Sequence, residues 1–537
     1  MRGLLFVAAF TLLCTGLPAA SSPSAASSET VWVFFRDRGA IDMPGPARDR
    51  ARAEARAHVS PRALDRRAKA ARERGGDPVA LDERDLPPAP EYIAAIESRG
   101  GVIRTRSSWL NAVSATAPPE SLPRITALPF VAEVRPVARE TLDGATQTDQ
   151  DFDAGPSYLQ IDMLHIPEVH AMGDHGEGVL ICVLDSGFQL DHESLRQLEV
   201  RGQRDFVNGD DDPSYDPRTD LPTQADHGTA VLSTLAGYAP GKLIGPAYRA
   251  EYLLGKTERI GSELPVEEDY WCAGVEWAEA EGADILASSL TYHQWYKWKD
   301  LDGRTAPSTR AANLALERGL LIVNASGNEG NKEGSLGAPA DAPGAITVGA
   351  VNGIGGLTAF SSVGPTYDRR VKPDLVALGS TVYTARARTY DRYAFVSGTS
   401  FSTPLVAGCA ALVLSRHPDW GPEAVREALA MSASRAERPD NEYGWGIVNA
   451  RDAVLYPLLE GTVTDSITRE PLGGATVTWS GGSVETDSTG TYVIPNLERG
   501  SYTITVSKPG YLDATAGPYE VPPNLGDVNV ALRYRGK

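Results

Sequence analysis

The sequence predicts an α/β protein whose central part is a doubly wound, mainly parallel sheet flanked by two smaller units. Three observations lead to this fold class. Almost uninterrupted apolar stretches alternate with helical stretches over residues 158–456, which is typical of parallel strands covered on both faces. Short strands and helices are mixed in residues 30–140, which predicts a small α+β unit. Stretches that alternate apolar and polar residues, separated by Gly and Pro, follow in residues 459–535 and predict an antiparallel β-sandwich.

The central region contains five apolar stretches that we expect to be strands, with helices between several of them. The predicted strands cover residues 178–184, 250–254, 283–289, 320–324 and 345–351, and the clearest predicted helices cover residues 268–281 and 309–318. In sheets of this type, binding and catalytic groups gather at the carboxyl ends of the strands. We therefore expect the functional residues to follow these apolar stretches.

The first residues have the pattern of a secretory signal. Arg2 supplies a positive start, residues 3–17 are apolar, and small residues at 19–22 form a cleavage zone, so the predicted signal covers residues 1–21. A membrane anchor is the alternative, but about fifteen apolar residues are too few to span a bilayer comfortably. We expect a secreted protein, extracellular or periplasmic, with no stable membrane insertion after signal removal. Residues 141–157, rich in Asp, Gly and Thr, predict an exposed linker.

Composition narrows the range of partners. The 537 residues carry a net charge of −19, which argues against a nucleic-acid partner. Residues 36–74 have an excess of basic over acidic side chains and leave the remainder more acidic, so an intramolecular partner would suit this stretch. Beyond the signal, Cys182, Cys272 and Cys409 lie in apolar stretches, which predicts buried free thiols rather than disulfides or a metal site.

The most informative stretch is S-G-T-S-F-S-T-P at residues 397–404, followed by a small, apolar run at residues 405–414. It predicts a loop that delivers the Ser400 hydroxyl to the first turn of a buried helix, with Gly398 allowing a close approach and Pro404 falling in that first turn. Unpaired amides and the positive end of a helix dipole would surround this serine, and both favour attack on a carbonyl group. The alternative is an ordinary helix-capping serine.

Three further stretches carry groups that would complete such a site. Asp185 ends the first apolar strand in D-S-G, His227 begins a helix of small residues in D-H-G-T, and Asn328 lies in the turn S-G-N after another strand. Each alone has an ordinary explanation as a turn former or a structural histidine. Together they could supply an orienting carboxylate, a general base and a side-chain amide for an oxyanion.

These four stretches, in the order Asp, His, Asn, Ser, resemble those of the subtilisin-like serine proteases, or subtilases, and shorter similarities extend over residues 158–454. The resemblance implies a serine endopeptidase in which Ser400 is the nucleophile, His227 the general base and Asp185 the group that holds the imidazole. It implies that Asn328 and the Ser400 amide form the oxyanion hole. It also implies that an extended substrate pairs with, and its pocket is shaped by, Ser289, Leu290, Ser326 and Gly327.

The resemblance extends to the flanking units. Residues 30–140 are similar in size and pattern to subtilase inhibitory propeptides, which implies a zymogen that loses this unit by a cut within residues 137–157. Residues 459–535 look like a carboxypeptidase-regulatory-like domain, which implies no catalysis. The implied partners are protein or peptide substrates and the chain's own propeptide, and we expect a monomer. Two alternatives are an independent N-terminal binding domain and a secreted scaffold protein whose protease domain is idle.

This chemistry requires no cofactor, and one stretch is a candidate for a structural metal ion. Residues 208–216 place Asp210, Asp212 and Asp216 at short spacing, and such hard oxygen ligands could hold Ca²⁺. A solvated acidic loop explains the same residues equally well.

A departure from the subtilase pattern and an acidic cluster bear on specificity. Thr291 stands where relatives often carry Gly and could narrow the primary pocket. The cluster is expected beside the substrate cleft, where it would favour basic residues in the substrate, and consists of Glu263, Glu267, Glu268 and Asp269.

Overall fold

The structure is a computed structural model that describes residues 28–77, 81–136, 155–261, 266–522 and 526–535. The predicted signal peptide, most of the predicted linker and Glu263 lie outside these residues.

The N-terminal unit is an antiparallel four-stranded sheet with four helices. Its elements are β1 (Glu29–Phe35), α1 (Pro46–His58), α2 (Pro61–Glu73), α3 (Pro90–Glu97), β2 (Val102–Ser107), β3 (Ala112–Ala117), α4 (Leu122–Thr126) and β4 (Val131–Pro136), with 3₁₀ turns at Gly39–Ile41 and Glu83–Asp85. The strand order is β2-β3-β1-β4. The boundary between α1 and α2 lies at Ser60, whose hydroxyl accepts from the Ala63 N–H and caps α2.

The central region forms a seven-stranded sheet. Its elements are α5 (Tyr158–Asp162), α6 (Ile166–Ala171), β5 (Leu180–Asp185), β6 (Glu199–Asp205), α7 (Asp226–Ala236), β7 (Tyr238–Ala239), β8 (Leu243–Ile244), β9 (Glu251–Lys256), α8 (Val266–Glu281), β10 (Ile285–Ser288), α9 (Pro307–Glu317), β11 (Leu321–Ala325), β12 (Ala345–Val351), β13 (Leu375–Leu378), β14 (Val382–Ala385), β15 (Tyr393–Val396), α10 (Thr399–Arg416), α11 (Pro422–Met431) and α12 (Ala450–Val454), with a 3₁₀ turn at Trp298–Asp300. The sheet order is β13-β12-β11-β10-β5-β9-β6, and its neighbouring strands are parallel. The five predicted strands are confirmed.

Helices cover both faces of this sheet, so it is doubly wound as predicted. One apolar core joins α7 and α10 to the face that carries Ile181 and Val183, and a second joins α8 and α9 to the face that carries Leu180 and Cys182. After β9 the chain crosses from one side of β5 to the other, so the switch point of the sheet lies between β5 and β10. Crevices at the carboxyl ends of strands at such points are the usual ligand sites of open α/β sheets.

The C-terminal region is a sandwich of two four-stranded sheets around its own apolar core. Its strands are β16 (Leu459–Asp465), β17 (Thr476–Trp479), β18 (Gly482–Glu485), β19 (Thr491–Ile494), β20 (Gly500–Ser507), β21 (Tyr511–Leu512), β22 (Ala514–Val521) and β23 (Val530–Tyr534). The sheet orders are β19-β16-β23-β21 and β18-β17-β20-β22. The predicted sandwich is confirmed, with one difference: β16 and β23 pair in parallel, whereas the other pairs are antiparallel.

Two further sequence features concern burial. Cys182, Cys272 and Cys409 are buried free cysteines, as predicted. In the part of the chain that the structure describes, every helix is too short or too polar to cross a bilayer.

Candidate active site

Asp185 is the last residue of β5 and lies at the switch point of the sheet. Its side chain is fully buried, and its Oδ1 accepts hydrogen bonds from the Ser186 N–H at 2.7 Å and from His227 Nδ1 at 2.8 Å. Its Oδ2 is buried without a hydrogen-bond partner among the described residues. A buried carboxylate held in this way can fix the orientation and the tautomer of an imidazole.

His227 is the second residue of α7 and is partly exposed. A Cβ on the following residue, Gly228, would lie 2.2 Å from the Gly187 carbonyl oxygen, so only glycine lets α7 approach β5 closely enough for the hydrogen bond to Asp185. Burial disfavours the charged imidazole, but the Asp185 carboxylate and its hydrogen bond outweigh burial and raise the pKa of His227 above its ordinary value. The Phe401 ring lies 5.8 Å from the imidazole, between centroids, so His227 lies beside the start of α10.

Ser400 is the second residue of α10 and is almost completely buried. Gly398, two residues earlier, has a φ of +152°, which favours glycine. A Cβ at this position would be 3.7 Å from its nearest neighbour, which is ordinary van der Waals contact. The glycine is therefore required by its backbone conformation and not by the close approach of another part of the chain. The Ser400 hydroxyl donates to the Ser289 carbonyl oxygen at 3.3 Å. Among the described residues it makes no hydrogen bond to His227, and such bonds are often loose before substrate binds.

The position of Pro404 differs from the prediction. It lies inside α10 as the sixth helical residue, in the second turn, and not in the first. A residue at this position would normally donate its N–H to the Ser400 carbonyl oxygen, and Pro404 has none. The Ser289 hydroxyl donates to that oxygen instead, at 2.7 Å. This contact cannot be predicted from local sequence, because the two serines are 111 residues apart.

Asn328 lies in the turn after β11 and is exposed. Its Oδ1 accepts from the Thr399 N–H at 3.0 Å and from the Thr399 hydroxyl at 3.2 Å, and it therefore caps the first turn of α10. This leaves the Asn328 Nδ2 as a donor for another group. The N–H of Ser400 has no backbone partner in the described part of the chain, as is usual at a helix start.

The predicted substrate-binding residues lie beside these groups. Ser289 and Leu290 follow β10, and the Leu290 carbonyl oxygen accepts from Asn324 Nδ2 at 2.9 Å. Ser326 and Gly327 follow β11, where the Ser326 N–H is bonded to the Val348 carbonyl oxygen at 2.9 Å. The Gly327 carbonyl oxygen accepts from Ser362 at 3.0 Å and from Thr399 at 3.2 Å. These two groups of the second segment are thus already paired inside the protein.

The described members of the acidic cluster are buried with the N-terminal unit in place, and the selection of basic substrate residues stays a prediction. Glu267, Glu268 and Asp269 open α8 and are buried. Glu268 accepts from the Ser308 N–H at 3.1 Å and from the Tyr296 hydroxyl at 2.7 Å. These carboxylates serve the packing of α8. The partners of Glu268 lie in α9 and in the segment before it, and no local sequence pattern connects them to α8.

An ion pair beside His227 was not foreseen. The Arg388 guanidinium, in the loop between β14 and β15, donates to both carboxylate oxygens of Asp226, at 3.0 and 2.8 Å. Arg388 has a φ of +61°, which a non-glycine residue rarely adopts. The loop is thereby fixed against the residue that precedes His227.

The predicted calcium ligands are used within the loop itself. Asp210 Oδ1 accepts from the Asp212 N–H at 3.0 Å, and Asp216 accepts from the Arg218 side chain at 2.7–3.2 Å. These hydrogen bonds lower the pKa of Asp216 to about 2. No group of three or more His, Cys, Asp or Glu side chains is arranged as a metal site in the described ranges. Since Arg218 neutralises Asp216, the three carboxylates do not fit Ca²⁺ as a set.

The structure thus brings together a buried carboxylate, an imidazole hydrogen-bonded to it and, beside the imidazole, the start of the helix that carries Ser400. A family model described as "Subtilase family" matches residues 176–446, one described as "Peptidase S8 propeptide domain, Bacteroidota" matches residues 30–152, and one described as "Carboxypeptidase regulatory-like domain" matches residues 459–533. The chain belongs to the subtilase family and is a serine endopeptidase with a propeptide domain.

Individual relatives agree with this assignment. Subtilisin NAT of Bacillus subtilis subsp. natto and subtilisin E of Bacillus subtilis (strain 168) are each 31% identical over 362 residues, covering 67% of this chain and 84% of the relative. Subtilisin Savinase of Lederbergia lenta is 33% identical over 299 residues, covering 55% of this chain and 97% of the relative.

Proposed function

We propose that the chain is a secreted serine endopeptidase, made as a self-processed zymogen, in which Ser400 attacks the carbonyl carbon of a peptide bond. The observation that carries this proposal is the 2.8 Å hydrogen bond between His227 Nδ1 and buried Asp185, on an imidazole beside the start of α10. With Nδ1 donating to Asp185, Nε2 is the ring atom that can accept the Ser400 proton.

The steps follow from these positions. Ser400 Oγ forms a bond to the carbonyl carbon while His227 accepts its proton, and the Asp185 carboxylate stabilises the resulting imidazolium. Asn328 Nδ2 and the Ser400 N–H stabilise the oxyanion of the tetrahedral intermediate. His227 then protonates the leaving amine as the C–N bond breaks, which leaves an ester on Ser400. Water hydrolyses this ester with His227 again as base, and Ser400 recovers its proton. All these groups belong to the protein, so the mechanism needs no metal ion or cofactor.

For the substrate, we propose that it binds as an extended strand between two segments of the chain. The first is Ser289 and Leu290, and the second is Ser326 and Gly327. The two segments follow the neighbouring strands β10 and β11, and within the described residues the Ser289 carbonyl oxygen accepts the long 3.3 Å hydrogen bond from Ser400, which a substrate N–H could replace.

We further propose a domain organisation that fits a zymogen. It consists of a signal at residues 1–21, an inhibitory unit at 30–140, the catalytic domain at 158–456 and the sandwich at 459–535. The cut that removes the inhibitory unit would lie within residues 137–157, after the end of β4. The described contacts support such a unit, since the sheet end at Ser107 and Ser108 lies on Glu276 of α8, with a 3.1 Å hydrogen bond from the Ser108 N–H.

The test combines covalent labelling with processing. Purified protein, after removal of the N-terminal unit, is treated with phenylmethylsulfonyl fluoride, and labelled peptides are identified by mass spectrometry. We expect label on Ser400 and none in Ser400→Ala. The matched control is Ser402→Ala, on the same helix as Ser400. This substitution removes a buried hydroxyl that donates to the Ala377 carbonyl oxygen of β13, and it should leave labelling intact.

Processing gives the second readout. The unaltered chain should shed its N-terminal unit, whereas Ser400→Ala should accumulate with that unit attached. A chain that never labels would contradict the proposal, and equal processing in both would assign the cut to another protease. Light scattering of the mature protein would check the expected monomer.

A further inference from the structure

Helix α2 of the N-terminal unit contacts the catalytic region at the amino ends of the parallel strands, opposite to the active-site end. The Arg62 guanidinium donates to the carbonyl oxygens of Gly178 at 2.8 Å and Gly282 at 3.0 Å, and forms an ion pair with Asp284. Gly178 precedes β5, and Asp284 precedes β10. Because β5 has six residues, this contact lies about 17 Å along the strand from Asp185.

The centre of this contact is a buried ion-pair cluster. Arg66 forms an ion pair with Glu279 of α8, and Arg67 donates to the same carboxylate at 2.9 and 2.7 Å. The exposed fraction of the side chain is only 5% for Arg66, 6% for Arg67 and 2% for Glu279. Burial raises the pKa of Glu279, but the two guanidinium groups outweigh burial and the pKa lies below its ordinary value. Removing one member of such a cluster leaves an uncompensated buried charge, which is strongly destabilising.

The cluster extends back into the N-terminal unit. Arg67 also donates to Asp85 at 3.0 and 3.1 Å, and Arg318 of the catalytic region donates to the same carboxylate at 3.3 Å. Asp85 and Glu279 thus contact the Arg67 guanidinium from the two sides of the contact. The charges of the two units therefore alternate across it, which fixes α2 in one register.

The end of α2 makes a third contact, on α11. The Glu73 carboxylate accepts from the N–H groups of Glu423 and Ala424, at 3.2 and 2.5 Å, and caps that helix. A Cβ on Gly421 would lie 2.2 Å from Glu73 Oε2. Gly421 has a φ of −91°, which any residue adopts, so its backbone does not require glycine. A side chain at residue 421 would therefore require the Glu73 carboxylate to move.

We propose that α2 is a second anchor of the N-terminal unit, remote from the catalytic site, and that its contacts, beyond those of the sheet, limit the rate at which this unit leaves the catalytic domain once the connecting chain has been cut. The proposal rests on the proposed zymogen only for the occurrence of a cut. The anchor itself follows from the contacts of α2 with Glu279, Asp284 and the start of α11, which do not include Glu276, the residue of α8 that the sheet contacts. Release of the unit then requires that α2 leave its site, and not only that the linker be opened.

The experiment uses the full chain with Ser400→Ala, a C-terminal tag, and a recognition sequence for an unrelated site-specific protease inserted within residues 141–154. The cut complex is immobilised by its tag, and release of the N-terminal unit is followed with time. The test variants are the double variant Arg66→Met with Arg67→Met, and Arg62→Met alone. The matched control is Arg52→Met on α1, because Arg52 pairs at 3.4 Å with Glu83 inside the same unit.

We expect the unaltered unit to stay bound, the double variant to be released at least about 100-fold faster and Arg62→Met about tenfold faster. Arg52→Met should match the unaltered unit. Should the double variant not fold, as judged by circular dichroism, Arg62→Met decides, since Asp284 keeps its hydrogen bond from the Leu180 N–H.

Immediate loss of the unaltered unit after the cut, or equal release rates for the α2 variants and Arg52→Met, would overturn the proposal. Neither result depends on peptidase activity, because the cut is made by another enzyme and Ser400 is absent. A failure of the proposed function would appear instead in the labelling experiment.

Discussion

The Ser289 hydroxyl donates to the Ser400 carbonyl oxygen at 2.7 Å, and the Ser400 hydroxyl donates back to the Ser289 carbonyl oxygen at 3.3 Å. This exchange ties the segment after β10 to the start of α10. It is possible because Pro404 supplies no N–H to the Ser400 carbonyl oxygen. The residue that bears the proposed nucleophile is therefore held by a side chain from another strand, in place of one bond of its own helix.

Replacing Ser289 tests this coupling. In a Ser400→Ala background, which keeps the backbone and prevents self-digestion, Ser289→Ala should lower the free energy of unfolding by about 1–3 kcal/mol, because a buried carbonyl oxygen loses its donor. Pro404→Ala provides a helical N–H for the same oxygen. The double variant should therefore lose less stability than the sum of the two single variants, measured by urea denaturation. Strict additivity would contradict the substitution of one donor for the other.

Asn328 has two functions that different substitutions separate. Asn328→Asp keeps an oxygen for the Thr399 N–H but has no Nδ2 donor, whereas Asn328→Ala loses both. Removal of the oxyanion-hole amide in subtilisin lowers kcat about 10²–10³-fold. We expect a decrease in kcat of about 10²–10³-fold for both Asn328 variants, with little change in KM. Only Asn328→Ala should also lower the thermal midpoint, by the loss of the cap on α10. Wild-type kcat in Asn328→Asp would exclude Nδ2 from the oxyanion hole.

The pH dependence of activity should report the Asp185–His227 pair. Burial alone would lower the pKa of His227, and the Asp185 carboxylate raises it above the ordinary value. Since neutral imidazole is the base, kcat/KM should rise with pH through that raised pKa. Asp185→Asn should move the inflection to lower pH and reduce kcat by about 10⁴-fold, as known for a serine protease triad.

Asp226→Asn is the control for that experiment, because its carboxylate already pairs with Arg388. Its inflection should stay near that of the unaltered enzyme.

The raised pKa of His227 also determines the direction in which the free energy of unfolding changes with pH. The pair stabilises the fold fully below the unfolded pKa of His227, and this contribution is lost as pH rises through the folded pKa. An unchanged inflection in Asp185→Asn would exclude the pair as its origin.

Binding of the N-terminal unit should weaken as pH rises. In the complex, burial raises the pKa of Glu276 from 4.5 to about 7, against hydrogen bonds from Ser107 and Ser108. Once the unit leaves, Glu276 regains water, so its ionisation favours release. Release from the cut chain should therefore accelerate between about pH 4.5 and pH 7, by about tenfold or more, and level off above.

The pKa shifts of two other carboxylates at this contact also affect how release of the N-terminal unit depends on pH. Burial also raises the pKa of Asp269, which acts in the same direction, whereas the lowered pKa of Glu279 opposes it at more acidic pH. Glu276→Gln keeps an acceptor for Ser107 and does not titrate, so its release rate should vary less with pH. An equal pH dependence in Glu276→Gln would assign the effect elsewhere.

The sequence was sufficient for what depends on short stretches. Buried parallel strands read as apolar runs, so β5, β10, β11 and β12 were predictable, and Asp185 followed as the residue that ends the first of them. The site residues could be proposed because each lies in a short stretch of distinctive composition. The structure brings Asp185, 42 residues away, within hydrogen-bond distance of His227.

What depends on distant partners was not predictable. Glu268 looks like a surface carboxylate in sequence, and it is buried because Ser308, 40 residues later, donates to it. Arg66 belongs to a run of basic residues that is ordinarily solvated, and it meets Glu279 across 213 residues. Pro404 lies one turn further into its helix than its sequence predicts, because the helix start depends on the cap that Asn328 provides from another loop.

The three cysteines of the described chain give the folded protein a chemical marker of its own integrity. Burial raises the pKa of Cys182, Cys272 and Cys409, and thiolate is the form that reacts with alkylating agents. Intact molecules should therefore resist iodoacetamide, whereas opened molecules should gain up to three carbamidomethyl groups. The mass of the intact chain after a timed pulse would count the opened molecules directly. Because the site proposed here uses an oxygen nucleophile, the same reagent should leave peptidase activity unchanged.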